Sequence, residues 1–404
     1  MQVFVTLLLL TTPLACFALN IQKCPGVQAD GKTDVTGPIQ KCLMSSAGAC
    51  GKVFFPTGQY MIAGTVTFDA CGGQIDIAGE GDETLLIWGS SGDMFVWTEQ
   101  AGVLGGSSVS SFKILASVAV KNPNATALRF TGGFTQSSVN EITVTSDDGA
   151  KIYPMNVLDL GVVTDTVSII NPLFQNVHGV GIKIGHGSEV RSIGSRIFGQ
   201  FSGSGWVPGS AGMHVTGNNG GVHIISTDLI ALETGLLLDN SSGAGSNREI
   251  FLSQATVDSN YRGLVIHDNS YVDFSGVWTA SSGDANIYVG ASAAPLVSLT
   301  GGTIFNAGTY GAIGNNDGIA WHGTGSFVLS GVTVRNNKGR GLWMTNPAMR
   351  NFIVSGSQFY GNGMNMDVVG DNYTITGCIF QPPLKTQNSF GPAHFAVVAN
   401  NVGL

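Results

Sequence analysis

The sequence predicts an all-β solenoid, and three observations predict it. One unit recurs: REIFLSQATVDSNYRGLVIHDN, from Arg248 to Asn269, sets out a short apolar strand, a polar turn with Asn260, then Gly263, a second apolar strand and another polar turn. SYVDFSGVWTASSGDANIYVGA and GSFVLSGVTVRNNKGRGLWMTNPA repeat that grammar. Apolar residues alternate within each run, as strands with one face in a core require. Finally, only 11% of the 404 residues are charged while 58 are Gly. That is too little charge for the wet faces of helices and suits short strands joined by tight turns.

The chain opens with MQVFVTLLLLTTPLACFA, residues 1–18. This apolar run is too short to span a bilayer and ends in small residues, so it reads as a secretory signal cleaved after Ala18. It lacks the usual Lys or Arg near its start. No other stretch is long and apolar enough to cross a membrane. Sequons at Asn124, Asn240 and Asn372 fit a secreted, extracellular glycoprotein. In that oxidising setting Cys24, Cys42, Cys50 and Cys71 are expected to form two disulfides, with the pairing open. Cys16 leaves with the signal, and Cys378 falls in a strand as a buried free thiol. The net charge of -8 disfavours nucleic acid as a partner.

Residues 19–64 are expected to cap the solenoid. An ADG turn precedes a short helix, Thr36 to Met44, with Pro38 early in it where Pro is tolerated. A Gly-rich turn, a strand (Val53 to Phe55) and a Pro-Gly turn follow. The pattern is carried by Ala29, Asp30, Gly31, Thr33, Asp34, Ile39, Gln40, Gly51, Val53, Phe55, Pro56, Gly58 and Tyr60. It resembles the entry cap of the pectate-lyase-like superfamily. The family usually carries Asp-Thr-x-Ala-Ile-Gln where this chain has Val35 to Gln40. The resemblance implies a right-handed parallel β-helix with a short N-terminal capping helix, and carbohydrate as the partner: such proteins cleave, epimerise or bind polysaccharides in a groove along one side.

Residues 65–381 form the repeat, at roughly 22 to 33 residues per coil, within the solenoid range. The first strands include VSIINPLF, IFLSQATV and FVLSGVTV; the second include GIKI, GLVI and GLWM. Their inward column would hold Ile182, Met213, Leu236, Leu264, Ile287, Ile319 and Leu342. Asn176, Asn260, Asn306, Asn336 and Asn362 recur in the turns, where Asn tolerates left-handed backbone and stacked amides form ladders. Residues 382–404 are left as a C-terminal cap or tail.

Stacking selects the candidate chemistry. Glu233, Asp284 and Asp317 all fall just before second strands, with Tyr261 and Arg262 at the same place in the coil between Glu233 and Asp284. Asp284 and Asp317 sit on adjacent coils, roughly 5 Å apart along the stack, and Glu233 about 10 Å from Asp284. Glycoside hydrolysis needs two carboxyl groups at about that separation. NNDGIAW is similar to the NxDGI turn of polygalacturonase-type enzymes, and His186 lies in a GHG like theirs. Yet the expected second Asp pair is missing (Asp147-Asp148 comes earlier), and GHG precedes NNDG.

A second group faces outward from the second strands: Lys183 beside His214, Asp239 beside His267 with His322 beyond, and Tyr288 and Trp343. Lys, His or Tyr could remove the proton beside a uronate carboxylate, as a lyase needs. A third group, on the first strands, holds Arg191, Arg196, His223, Asp228, Asp273 and Trp278. Arg196 and Asp228 are expected to form an exposed ion pair, and Trp278 and Trp343 could stack on sugars.

The leading expectation is therefore a secreted enzyme that hydrolyses a polysaccharide. Asp284 and Asp317 are its acid/base pair and Glu233 an alternate carboxylate. Arg262, His186 and His214 would bind substrate. The alternatives are a uronate lyase using Lys183, His214, Asp239 and His267, and a non-catalytic glycan-binding surface protein. The sequence demands no cofactor. Scattered acids leave room for calcium, and nothing fixes the oligomeric state. GxxxxGK[ST], HExxH, GGxGxD and DPH motifs are absent.

Overall fold

The computed structural model describes residues 18–45, 51–70, 74–99, 104–117, 122, 124–146, 156–161, 163–202, 205–217, 219–239, 249–310, 313–349, 351–370, 372–381, 389–391 and 395–403. Residues 1–17 of the expected signal, Cys50, Cys71, Asn240, Asp147, Asp148 and parts of the 382–404 tail lie outside them.

Each central coil has three strands rather than the two expected. The unit around Gln254 runs Glu249–Ser253, Thr256–Asp258 and Arg262–Ile266. We call the three stacks walls A, B and C. Among the described residues walls A and B belong to one continuous sheet of 29 strands, and wall C is a separate sheet of 13 strands from Val66–Ala70 to Ser389–Phe390. Pairing between coils is parallel throughout walls A, B and C, so the chain is an all-β, right-handed parallel β-helix.

The expected first strand divides because one residue turns left-handed in its middle. Gln254 has φ 51° and Gly331 φ 64°, as do their counterparts up and down the stack. The division leaves a trace in the inward residues. Ile250, Leu252, Ala255 and Val257 are all buried, at spacings of two, three and two. The phase slip marks the bend between walls A and B. Arg196 and Asp228 pair on wall B at 3.6 Å, as expected.

The inward column of wall C is as expected. Ile182, Met213, Leu236, Leu264, Ile287, Ile319 and Leu342 are buried and paired coil to coil. The recurrent turn Asn residues divide into two columns. Asn176, Asn306 and Asn336 are left-handed at the corner between walls B and C. Asn260 and Asn362 are instead fully buried, in one column with Asn337. Asn337 Oδ1 accepts from the Ala307 amide at 3.0 Å, and its Nδ2 donates to Asn362 Oδ1 at 2.9 Å.

The cap explains its sequence motif. Asp34 accepts from the Thr36 amide and hydroxyl, at 2.9 and 2.6 Å, at the start of helix Thr36–Ser45. Ile39 and Leu43 are buried. Gln40 meets the first wall C strand as a neighbouring strand would: it accepts from the Thr67 amide at 2.7 Å and donates to the Thr67 carbonyl at 3.1 Å. The helix thus satisfies an edge that would otherwise lie open. Cys24 and Cys42 form the disulfide that ties it down. Removing it as Cys24→Ser/Cys42→Ser opens a loop of 18 residues' separation. That should cost about 3 kcal/mol, read as a lower thermal midpoint and faster amide exchange in the helix. Cys378 is a buried free thiol, and burial pushes its pKa up.

Candidate active site

Wall C carries the candidate site on its outer face. Between its strands Arg262–Ile266, Ala285–Val289, Asp317–Trp321 and Arg340–Met344, register sets Arg262, Ala285 and Asp317 side by side. The same register aligns Val265, Tyr288, Ala320 and Trp343 further along. The Gly after Arg262 or Asp317 is forced by packing. A Cβ on Gly318 would lie 2.6 Å from the Gly341 carbonyl and 2.8 Å from the Asn337 amide. The backbone there presses onto the buried Asn column, and the preceding side chain is left facing outward.

Asp284 and Asp317 come together on adjacent coils, the Asp317 amide donating to the Asp284 carbonyl at 2.9 Å. Their environments differ. Asp284 is paired with Arg262, Nε to Oδ2 at 2.7 Å, and its Oδ1 accepts from the Asn315 amide at 2.9 Å. Asp317 is 0% exposed. Its Oδ1 accepts from the Arg340 amide at 2.6 Å, whereas Oδ2 is buried with no hydrogen-bond partner. Arg340 Nη1 stands 3.5 Å from Asp317, and Arg340 Nε pairs with Asp367 at 3.1 Å. Burial, reinforced by the Asp284 charge and opposed by Arg340, pushes the Asp317 carboxyl up to about 7. A buried carboxyl with a raised pKa beside a second carboxyl in a different environment is an arrangement that acid/base chemistry uses.

The two arginines lie flat on aromatic rings: Arg262 is 3.7 Å from the Tyr288 centroid and Arg340 4.0 Å from that of Trp343. His267, Tyr288, His322 and Trp343 continue as a line of rings, with successive centroids 5.8, 5.4 and 4.8 Å apart. Burial and the Arg262 charge hold both His267 and His322 below the ordinary histidine value, hence neutral at pH 7. The line faces outward across four coils, roughly 14 Å, the length of a few sugar rings.

Glu233 shares the corner but is engaged elsewhere. Its carboxylate accepts from the Gly209 amide, and its own amide donates to Ser210 Oγ at 2.8 Å. The loop holding Gly209 also brings in Trp206. Its indole donates to the Ser259 carbonyl at 2.6 Å and lies 5.7 Å from Tyr261. Sequence reasoning missed Trp206, which lies in an insertion without a counterpart in neighbouring coils.

Further toward the N-terminus the outward column of wall C reads Arg129, Asp159, Lys183, His214. Arg129 bridges Asp93 at 2.8 Å and Asp159 at 2.9 Å; Lys183 is 3.8 Å from Asp159. His214 pairs with Asp239 at 2.7 Å. Arg129, Asp93 and Asp159 were not foreseen, although Arg129 and Asp159 follow from extending the Lys183 column by two coils.

Several expected site residues are not brought to the carboxylates: His186, Lys183 and Trp278 lie away from them, and His214 is three coils from Asp284, roughly 14 Å along the stack. His186 lies beyond the Val180–Ile184 strand, four coils from Asp284, roughly 19 Å along the stack. Trp278 stands on wall B, not wall C. Among the sequons, Asn124 is exposed in a turn, and Asn372 is half-buried in strand Asn372–Thr376. Among the described residues no three His, Cys, Asp or Glu side chains converge as a metal site would need. No described helix is long and apolar enough to cross a membrane.

No protein-family model matches the chain, and no curated protein matches it in sequence. Solved structures do match. Bacteriophage CBA120 tailspike protein 3 aligns at TM-score 0.55 and 14% identity, over 96% of this chain and 62% of the tailspike, so this chain spans less than two thirds of that protein. The Dettilon tailspike protein gives 0.50 and 14%, over 94% and 68%. A mutant DFA-IIIase from Arthrobacter chlorophenolicus A6, in complex with DFA-III, gives 0.50 and 10%, over 93% and 86%. At these identities the likeness is one of fold, and by fold this chain is a right-handed parallel β-helix.

Proposed function

We propose that this protein is a secreted glycoside hydrolase acting on a polysaccharide laid along wall C. The observation that carries the reading is the adjacency of a fully buried Asp317, its carboxyl pushed up to about 7 by burial, and an Asp284 ion-paired to Arg262 on the next coil. Asp317 donates its proton to the glycosidic oxygen as the bond to the sugar breaks; Asp284 either takes a proton from the water that attacks the anomeric carbon or bonds to that carbon itself, for water to displace it afterwards. Arg340, lying over Trp343, covers the acid and must swing aside for the proton to reach substrate. Tyr288 and Trp343 offer apolar ring faces to sugars. Glu233 remains the alternate carboxylate at the same corner. Secretion is supported by the first strand, Leu19–Asn20, which pairs with Val53 and Phe54 directly after the proposed cleavage point.

Two other readings each have an observation behind them. A uronate lyase is favoured by Lys183, 40% exposed, beside a His214 aligned by Asp239, with His267 on the following coil. Simple glycan binding is favoured by the complete burial of Asp317. The test incubates the protein with neutral and acidic polysaccharides and follows reducing ends and the ultraviolet absorbance of unsaturated ends. Reducing ends alone support hydrolysis; both signals rising together reject it for elimination. Neither signal, with retention on a glycan column, leaves binding as the function.

A further inference from the structure

The geometry points to a second saccharide-binding patch on wall B, separate from the carboxylates, that takes an acidic sugar chain. At its centre is Trp278, which is 43% exposed. Its ring meets Phe305 edge-on, at 4.6 Å between centroids and 88° between planes. Phe305, only 7% exposed, thereby props the indole without covering its face. On the other side of Phe305 the Arg335 guanidinium lies 4.4 Å from the ring centroid. An exposed flat ring, rigidly supported beside a cation, is the arrangement that stacks on the apolar face of a pyranose while engaging a substituent.

Charge decides the kind of sugar. On wall C each arginine of the candidate site is committed to an aspartate: Arg262 to Asp284, and Arg340 to Asp317 and Asp367. Arg335 differs. Among the described residues it has no acidic partner within ion-pair distance, and neither has the exposed Lys338 three residues on, whose Nζ donates to the Gly308 carbonyl at 2.7 Å. Asp258 is the last acid on the described strands of wall B, and register puts it three coils from Arg335, roughly 14 Å. An uncompensated guanidinium and ammonium on a protein of net charge -8 form a local cationic spot. Thr303 and Thr333, paired in register beside Trp278, add hydroxyls for sugar oxygens. The fitting ligand is a saccharide bearing carboxylate or sulfate. This inference does not depend on the hydrolase reading, because the patch lies around the corner from Asp284 and Asp317 and shares no residue with them.

The test is equilibrium binding of the full-length mature chain to three short linear probes: an oligogalacturonide, a sulfated galacto-oligosaccharide and a neutral galacto-oligosaccharide. At least one acidic probe should bind at least tenfold more tightly than the neutral one, and weaken with added salt. Which acidic probe binds separates carboxylate from sulfate. Trp278→Leu, which keeps apolar bulk without the flat ring, should lower that affinity about tenfold. Arg335→Met should lower it similarly and flatten the salt dependence. Equal binding of the neutral probe, or unchanged affinity in either variant, would overturn the assignment. Thermal unfolding of each variant at the wild-type midpoint shows that a loss of binding is not a loss of fold.

Discussion

Replacing Asp317 with Asn is expected to lower hydrolysis by roughly a thousandfold while leaving the fold at least as stable above neutral pH. Asn has the shape of the carboxylic acid and can still accept from the Arg340 amide at the Oδ1 position. It cannot give up a proton to a leaving oxygen. The same group should set the alkaline limb of the pH profile: with its pKa near 7, activity falls as pH rises through that value and the acid form is lost. Stability follows the same proton. An unfolded Asp titrates near the ordinary 3.8, whereas in the fold it holds the proton to about 7. Between those values the native state binds the extra proton, so this group's contribution is greatest below pH 4 and is lost as pH rises to 7. The loss is on the order of 4 kcal/mol at most. In Asp317→Asn that slope should vanish from denaturation curves taken between pH 4 and 8. A variant that keeps wild-type turnover removes Asp317 from the chemistry; one that keeps the stability slope removes the buried proton.

How much of this was legible depended on whether the chain repeats itself. The cap could be read because Asp34, Gln40 and the Pro-Gly turn act over short distances and meet the same edge that any such solenoid presents. The adjacency of Asp284 and Asp317 could be read because counting coils is enough: parallel register converts a sequence spacing into a spatial one. Trp278 faces outward, as expected of a first-strand residue, but the wall it stands on was not legible, for a definite reason. Its run reads as one alternating strand, yet the inward residues Val272, Phe274, Val277 and Thr279 skip a phase at Gly276. That slip turns the chain onto wall B and carries Trp278 away from the carboxylates. Arg129 with Asp93, and Trp206 with Tyr261, could not be read in the same way. Their partners sit in coils of irregular length, where register cannot be counted.

The Asn residues at the corner between walls B and C show how one position in register separates two roles, and mutation should separate them sharply. Asn336 has φ 56° and is exposed; a side chain is tolerated there only because Asn accepts left-handed backbone. Asn336→Gly should therefore change stability by less than about 1 kcal/mol. Asn337 is its neighbour and has the opposite character. It is 0% exposed, and its Oδ1 serves both the Ala307 amide at 3.0 Å and the Asn286 side chain at 3.2 Å. Its Nδ2 serves Asn362 Oδ1 at 2.9 Å. Asn337→Ala leaves the buried Ala307 amide without its acceptor, Asn286 Nδ2 with the Phe305 carbonyl for only one of its two hydrogens, and Asn362 Oδ1 without one of its donors. Each orphan costs roughly 1 to 3 kcal/mol, because no water reaches it, so a loss of about 3 kcal/mol or more is expected. Urea unfolding followed by circular dichroism should show a lowered midpoint for Asn337→Ala and almost none for Asn336→Gly. Equal losses in the two variants would mean that the buried amides do not hold the corner. The corner matters beyond stability because Gly318 packs on the Asn337 amide, one residue from Asp317. A corner that loosens in Asn337→Ala should also let water reach the Asp317 carboxyl. Its pKa would then fall toward the ordinary value, and the alkaline limb of activity would move to lower pH.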